Sequence, residues 1–261
     1  MQADEIVATL EPWRARNRRP AWTPVVEAGD GPATASKFCG TPWTGPDAPW
    51  PDCGLCRRPL QPFLQLDLDD LPDELGRPFG TGLLQLFYCT REECQGAGGW
   101  APFADDLSRV RVVHPGGGGP ATPAPEAPAF PAKRIVGWTR LDDLPGPQDH
   151  DDNGLTYTYD FKAGTLRFEC PEVGLDHTGP INACPAEQIA TAAPGDKLGG
   201  WPYWVQGAEY PACPRCARRM ALVFQLDSEG HVPFMFGDAG CGHVTQCPEH
   251  KDVVAFGWAC G

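Results

Sequence analysis

The sequence predicts an α+β fold that is predominantly β, formed by internal duplication of a curved antiparallel sheet unit about a pseudo-two-fold axis. The chain has 261 residues, of which 31 are Gly and 30 are Pro, about twice their average share. Its apolar segments are short and set off by these turn residues, which favours short strands over long helices. A hydrophobic content of 41%, with nine Trp and twelve Phe, excludes a disordered chain.

The duplication is visible when the chain is aligned with itself. Positions 37–67 and 197–227 share 11 identical residues of 31, against roughly two or three expected by chance. Beyond this stretch a shift of 158 residues pairs Cys89 with Cys247, and pairs the Gly-Trp-Ala segments 99–101 and 257–259. Two copies of one unit are therefore predicted.

The N-terminal region carries a helical pattern of apolar residues. Ile6, Leu10 and Trp13 recur at helical spacing within residues 3–17, which predicts an amphipathic helix interrupted by Pro12 and ended by Pro20.

Each unit predicts the same order of elements: an entry loop rich in Gly, Pro and aromatic residues, a Cys-x-x-Cys turn, two strands and a closing Trp. The predicted strands are 61–66 and 83–89 in the first unit, and 221–226 and 243–247 in the second.

Two further strands are predicted near 156–161 and 165–168. The acidic stretch 142–154, with Asp149, Asp151 and Asp152, is expected to be a solvated loop. The predicted organisation is residues 1–34 as N-terminal helix and lead-in, 35–113 as unit 1, 114–134 as a Gly/Pro-rich linker or loop, 135–195 as connecting strands with an acidic loop, and 196–261 as unit 2.

The cysteine spacing predicts two structural zinc sites. Two Cys-x-x-Cys turns are each followed at similar distance by a second ligand pair, and four such ligands form a closed tetrahedral zinc site. The predicted ligands are Cys53, Cys56, Cys89 and Cys94 in unit 1, and Cys213, Cys216, Cys247 and His250 in unit 2. Cys241 and His243 compete with His250 for a place in the second site.

The N-terminus shows no secretory signal and the chain no apolar stretch of membrane-spanning length, so a cytoplasmic location is expected. In a reducing compartment, close Cys pairs are more often metal ligands than disulfides. The isolated residues Cys39, Cys170, Cys184 and Cys260 are expected to be small buried hydrophobes.

The net charge of −13, from 34 acidic and 21 basic residues, disfavours nucleic acid and favours a basic protein as partner. No nucleophile elbow, phosphate loop or zinc-protease motif is present, and Asp238 lies between glycines typical of a turn. Partner-binding residues are predicted among the entry-loop aromatics, which could alternatively pack the junction between the units: Trp43, Trp50, Trp201, Tyr203 and Trp204.

Two other functions remain open. A zinc-ribbon-like RNA-binding protein would require the basic runs Arg14–Arg19 and Arg215–Arg219 to form one face. An uncharacterised enzyme would require a pocket of converging carboxylates between the units.

Lys197-Leu198-Gly199-Gly200-Trp201-Pro202-Tyr203-Trp204, Cys213-Pro214-Arg215-Cys216 and Phe236-Gly237-Asp238-Ala239-Gly240 resemble the YwqG family of bacterial proteins of unknown function. Cys53-Gly54-Leu55-Cys56-Arg57-Arg58 and Leu84-Gln85-Leu86-Phe87-Tyr88-Cys89 are similar to the related eukaryotic programmed cell death protein 2 family. The resemblance covers about half of the chain, and departs from the family pattern at Cys39, where Gly is expected, and at Thr41, where an aromatic residue is expected.

This resemblance implies a duplicated, mostly β module that binds other proteins and has no established enzymatic activity. Eukaryotic relatives are understood to chaperone a ribosomal small-subunit protein, and some bacterial members are proposed immunity proteins against secreted toxins. A chaperone or immunity function with a basic protein client is therefore expected.

Overall fold

The structure, a computed structural model, describes residues 3–104, 106–116, 125, 129–181 and 191–261. Cys184 and part of the predicted linker lie outside the described residues. The helices are α1 (Ala3–Thr9), α2 (Glu11–Asn17) and α3 (Glu92–Gln95). The strands are β1 (Arg19–Ala28), β2 (Lys37–Phe38), β3 (Gln61–Asp67), β4 (Leu83–Tyr88), β5 (Ser108–Val113), β6 (Lys133–Asp143), β7 (Thr156–Asp160), β8 (Thr165–Cys170), β9 (Leu175–Pro180), β10 (Lys197–Gly199), β11 (Ala221–Asp227), β12 (Cys241–Gln246) and β13 (Val254–Ala259).

Ten of these strands form one curved antiparallel sheet in the order β13-β12-β11-β10-β1-β6-β2-β3-β4-β5, and β7-β8-β9 form a second, small sheet. The large sheet is nearly closed, because its two outer strands approach each other. Across this seam the Phe256 N–H donates to the Pro102 carbonyl at 3.1 Å, and Trp258 Nε1 donates to the Tyr88 hydroxyl at 2.8 Å. The predicted fold class is confirmed.

The strand order is symmetric about the central pair, β1 and β6. Each unit contributes one long leading strand and four shorter ones: β1 precedes β2–β5, and β6 precedes β10–β13. The leading strands are exchanged, since β1 pairs with β10 of the second unit and β6 pairs with β2 of the first. The two units therefore share one sheet and neither completes its sheet alone.

A buried Lys–Asp pair is repeated at equivalent places beside this central pair. Lys197 Nζ lies 2.8 Å from Asp143 Oδ2 and donates to the Ala193 carbonyl at 2.6 Å. Lys37 Nζ lies 2.7 Å from Asp30 Oδ1 in the other unit. Both lysines are fully buried, and such an ammonium group is tolerated only when it is paired and hydrogen-bonded.

Two glutamines at equivalent places hold the entry loops against the sheet. Gln65 Oε1 accepts the Trp43 N–H at 2.8 Å, and Gln225 Oε1 accepts the Tyr203 N–H at 2.8 Å. The Lys and Gln residues that the two units share are therefore structural.

Glycine is required where each entry loop passes the leading strand. Gly40 and Gly200 have φ of +70° and +72°. A Cβ at Gly200 would lie 2.7 Å from the Cβ of Ala21, so the backbone could not approach this strand. Cys39 adopts φ of 58° where Gly199 has 68°, which accounts for Gly as the expected residue at that position.

The N-terminal region differs from its prediction. The single helix over 3–17 is two helices that meet at Leu10, and Pro12 lies in the first turn of α2. They pack on the small sheet through a core that includes Leu10, Trp13 and Phe168. Pro20, expected only to end the helix, lies in strand β1, which also contains Pro24 although proline normally argues against a strand.

The prediction that a Trp closes each unit at an equivalent place is wrong for the first unit. Residues 257–259 lie within β13, whereas residues 99–101 lie in the connection before β5. Trp100 instead crosses the seam, since a Cβ at Gly257 would lie 2.6 Å from its ring. The identical segments 99–101 and 257–259 therefore do not occupy equivalent places in the two units.

We expect Asp143→Ala to destabilise the protein by about 3–5 kcal/mol, because it leaves Lys197 buried without a countercharge. Asp30→Ala should reduce the free energy of unfolding by less, because water can reach Lys37 more easily. The Asp30 side chain is 37% exposed, whereas that of Asp143 is 1% exposed. Urea denaturation measures the free energy of unfolding of both variants. Asp142→Ala, an exposed neighbour paired with Arg140, is the control; equal losses in all three variants would contradict this reasoning.

Candidate metal centres

The first group of candidate ligands lies at one end of the β3–β4 hairpin. Cys53 and Cys56 occupy the turn before β3, Cys89 follows β4 directly, and Cys94 lies in α3. Their sulfur atoms all lie within 4.8 Å of one another, and the Cys56 and Cys89 Sγ atoms are 3.9 Å apart. Four ligands about 2.3 Å from one ion in tetrahedral geometry would be separated by about 3.8 Å. These four cysteines could therefore hold one metal ion.

The second group occupies the equivalent place at the β11–β12 hairpin. Cys213 and Cys216 precede β11, while Cys247 and His250 follow β12. The Cys216 and Cys247 Sγ atoms are 3.6 Å apart, and His250 Nδ1 lies 3.8 Å from Cys213 Sγ and 3.7 Å from Cys247 Sγ. The two groups are the only clusters of this kind among the described residues.

The same backbone geometry closes each Cys-x-x-Cys turn. The N–H of Cys53 donates to the Arg58 carbonyl at 2.8 Å, and that of Cys213 to the Arg218 carbonyl at 2.8 Å. The residue after the second cysteine then adopts left-handed backbone, with φ of 60° at Arg57 and 58° at Ala217. Both turns close in the same way, which brings each pair of sulfurs to one side.

Backbone N–H groups stabilise the thiolate form of one ligand in the second group, Cys247. Its Sγ accepts the N–H of His250 at 3.3 Å and that of Glu249 at 3.4 Å. Burial raises the pKa of Cys247, but these hydrogen bonds, together with contacts from Cys213 and the His250 side chain, lower the pKa to about 6. At Cys216 a backbone hydrogen bond lowers the pKa, but burial and the neighbouring Cys247 and Cys213 thiols outweigh it and raise the pKa to about 11. Since metals bind the thiolate, Cys247 is the ligand of this pair that is deprotonated more readily near neutral pH.

Cys241 and His243 lie outside both groups. His243 is buried, its Nε2 lies 3.2 Å from the Tyr203 carbonyl, and its ring packs on Trp204 with centroids 4.5 Å apart. Burial lowers the pKa of His243 to about 3 and raises that of Cys241 well above its usual value. The structure thus places His250 with the three cysteines and leaves this pair in the core.

The remaining described cysteines are unpaired thiols. Cys39 and Cys170 are buried and Cys260 is half-buried, and no disulfide is present among the described residues.

The entry-loop aromatics are distributed between the interior and the surface. Trp201 and Trp204 are buried, so the prediction that they form a partner-binding surface is wrong for these two. Trp201 Nε1 donates to the Asn17 carbonyl at 2.8 Å, which ties the entry loop to α2. Trp43 and Trp50 are half-buried, and Tyr203 alone of the five is exposed.

Asp149 is also buried, which corrects the solvated-loop prediction at this residue. Its carboxylate accepts Trp204 Nε1 at 3.0 Å and Arg219 Nη2 at 3.1 Å, while Asp152 is exposed and pairs with the other nitrogen of Arg219. Burial raises the pKa of Asp149. The local sequence could not reveal this, because both partners of Asp149 lie more than fifty residues away along the chain.

Comparison with known proteins gives a family but no activity. Residues 36–250 match the model of a family described as a domain of unknown function, DUF1963. A stretch of 44 residues is 43% identical to the uncharacterized protein YpfL of Salmonella typhimurium. That stretch is 17% of this chain and spans only 10% of the length of that protein. No helix in the described part of the chain combines the length and apolarity needed to cross a membrane.

We expect Ala217→Gly to raise the free energy of unfolding by roughly 0.5–1 kcal/mol, because glycine adopts the positive φ of this turn without steric cost. Thermal or urea unfolding measures the change. Ala212→Gly, five positions earlier and not in a left-handed conformation, is the control and should have the opposite sign; stabilisation by both variants would contradict the turn geometry.

We expect the chain to bind cobalt(II) at both groups, with the visible absorption typical of tetrahedral thiolate coordination. Cys216→Ser removes a ligand from the second group and should lower the cobalt uptake per chain. Cys260→Ser is the matched control, since this thiol belongs to neither group and should leave uptake unchanged. Equal uptake by the two variants would show that the second group does not bind metal.

Proposed function

This chain belongs to the DUF1963 family, and on that premise we propose that it is a non-enzymatic protein-binding module, held together by structural zinc, that captures a basic partner protein. The observation that carries the proposal is a run of exposed carboxylates without basic partners beside an open cavity.

The donor sets support zinc as the metal. Thiolate and imidazole ligands in groups of four suit zinc, and a closed set of four leaves no position for a water or a substrate. In each unit the metal would connect the turn before one strand of a hairpin to the segment after the other. Zinc would therefore stabilise the fold, and reduced thiolates of this kind support a cytoplasmic location.

Residues 67–74, the end of β3 and the first part of its connection to β4, carry unpaired carboxylates and are called here the carboxylate loop. Asp69, Asp70 and Asp73 are exposed, and none has an ion-pair partner among the residues that the structure describes, whereas Glu74 pairs with Arg140. Burial, together with repulsion from Asp69 and Asp70, raises the pKa of Asp67. The loop thus creates a negative potential that attracts basic groups.

Acidic residues elsewhere on the surface are often paired. Asp176 accepts two hydrogen bonds from Arg167, and Asp252 pairs with Arg215 on the second Cys-x-x-Cys turn. Such local pairing cancels charge, so it does not generate a patch. The carboxylate loop is therefore the surface that we assign to the partner.

A cavity of about 440 Å³ adjoins this loop beside β6. Asp67, Asp70, Ile135, Val136 and the half-buried Trp138 line it. Arg134 also lines it, with its guanidinium paired to Glu27. Carboxylates and an indole ring in one cavity suit the side chain of Lys or Arg, which gains charge pairing at its end and contact with the ring along its length. We propose that this cavity receives a basic side chain of the partner.

The charge pattern also distinguishes this proposal from RNA binding. Arg16 pairs with Glu172, Arg18 pairs with Glu11 and Arg218 pairs with Glu249, so the two basic runs are largely neutralised where they lie.

Chaperoning of a ribosomal protein and inhibition of a basic toxin both require capture of a basic protein. These are the functions suggested by resemblance to the YwqG and programmed cell death protein 2 families. Either fits the carboxylate loop.

We expect affinity purification with the intact chain to retain a basic protein at low and moderate salt, identified by mass spectrometry. The purified client should bind Asp70→Lys/Asp73→Lys at least about tenfold more weakly than the unmodified chain, because the loss of two carboxylates and the gain of two cations reverse the local field.

The matched control is Asp151→Lys/Asp238→Lys. Each Asp→Lys change removes one negative charge and adds one positive charge, so both double variants move the net charge from −13 to −9. If the control weakens binding equally, net charge and not the carboxylate loop is responsible. If no basic protein is retained under either salt condition, the proposed function is wrong.

A further inference from the structure

A second cavity, of about 300 Å³, lies where the start of β1 meets the entry loop of the second unit. Its walls carry Asp152 and two arginines, and each arginine is stacked on an aromatic ring. The Cζ of Arg19 lies 3.3 Å from the ring centroid of Trp201, and the Cζ of Arg219 lies 3.4 Å from that of Tyr210. These four residues are called here the arginine pocket.

Arg219 is committed to neighbouring carboxylates. Its Nη1 donates to Asp152 at 2.7 Å and its Nη2 to the buried Asp149 at 3.1 Å. The second of these bonds neutralises Asp149, which also accepts Trp204 Nε1. Arg219 therefore forms a fixed wall of the pocket, and its removal would leave Asp149 buried without a countercharge.

Arg19 is different, because its guanidinium makes no hydrogen bond or ion pair with a residue that the structure describes. One face of the group is covered by Trp201, which itself is anchored to the Asn17 carbonyl. Burial in the pocket lowers the pKa of Arg19. The N–H groups of a guanidinium point outward in its own plane. When the group is stacked on a ring, that plane is parallel to the ring, so the N–H groups can still donate to a ligand.

The duplication shows that the fold does not require this arrangement. In the first unit the positions equivalent to Trp201, Tyr210 and Arg219 are Thr41, Trp50 and Pro59, none of which is charged. That unit nevertheless keeps the same Lys–Asp pair, the same Gln contact and the same Cys-x-x-Cys turn. Unit 1 therefore forms the same framework without an arginine at the position equivalent to Arg219.

We propose that the arginine pocket binds a small oxyanion, a carboxylate or a phosphate, with Arg19 as the principal donor. Guanidinium groups pair with both anions through two parallel N–H···O bonds, and these charge-assisted bonds are strong in a partly desolvated pocket. The pocket lies where β1 meets the second unit, and this inference does not depend on the capture of a basic protein by the carboxylate loop.

NMR titration of the intact chain tests the pocket, with the indole N–H resonance of Trp201 as reporter because its ring lies under Arg19. The probes are inorganic phosphate, acetyl-glycyl-glycine with a free carboxylate, and the same peptide with an amidated C-terminus. We expect saturable shifts with at least one of the first two and none with the amide. Binding of the carboxylate peptide alone would identify a carboxylate ligand, and binding of phosphate alone would identify a phosphate ligand.

Arg19→Gln should weaken binding at least about tenfold, because the neutral amide cannot form a charge-assisted pair. Arg18→Gln is the matched control; Arg18 is the neighbouring residue, pairs with Glu11, and should leave binding unchanged. If Arg19→Gln does not fold, Arg19→Lys keeps the charge but not the two parallel bonds and should bind at intermediate strength. Absence of saturable shifts with both anions, or unchanged binding in the Arg19 variants, would overturn the proposal.

Discussion

The two buried lysines constrain the rest of the molecule. An ammonium group removed from water costs several kcal/mol unless a carboxylate and carbonyl groups surround it, and burial lowers the pKa of Lys197 although Asp143 opposes this. Each lysine begins the short strand that pairs with the other unit's leading strand. Its aspartate also accepts the N–H of the entry loop, at Thr41 or Trp201. The loop can reach that carboxylate only because Gly40 and Gly200 carry no Cβ.

This constraint operates at the junction of the units, whereas one candidate metal centre lies within each unit. Exchange of β1 and β6 makes the central sheet common to both halves, so unfolding one unit removes pairing partners from the other. The cysteine groups instead connect the two strands of a single hairpin, β3–β4 or β11–β12. The fold therefore combines a shared ionic core with two local ligand groups that could hold metal, and each can be perturbed by mutation without directly touching the other.

The two units keep the same framework but differ in their surface chemistry. Unit 1 presents the carboxylate loop, which in unit 2 is replaced by a connection where Asp227 accepts the N–H groups of Gly195 and Ser228. Unit 2 presents the arginine pocket, which unit 1 lacks. The contacts that both units retain include the Lys–Asp pair and the Gln contact to the entry loop, and the side chains that differ lie outside these contacts.

Sequence patterns of short range were enough to predict the fold class and the candidate metal ligands of this protein. The repeat, the predominance of β-structure and the spacing of the eight candidate ligands all depend on residues near one another in the chain or on direct identity, and the structure brings those ligands into two groups. Only the tertiary structure decided that the leading strands are exchanged, that β1 tolerates its prolines, and that Asp149, Trp201 and Trp204 are buried. Each of these depends on partners distant in sequence, which become neighbours only when the curved sheet forms.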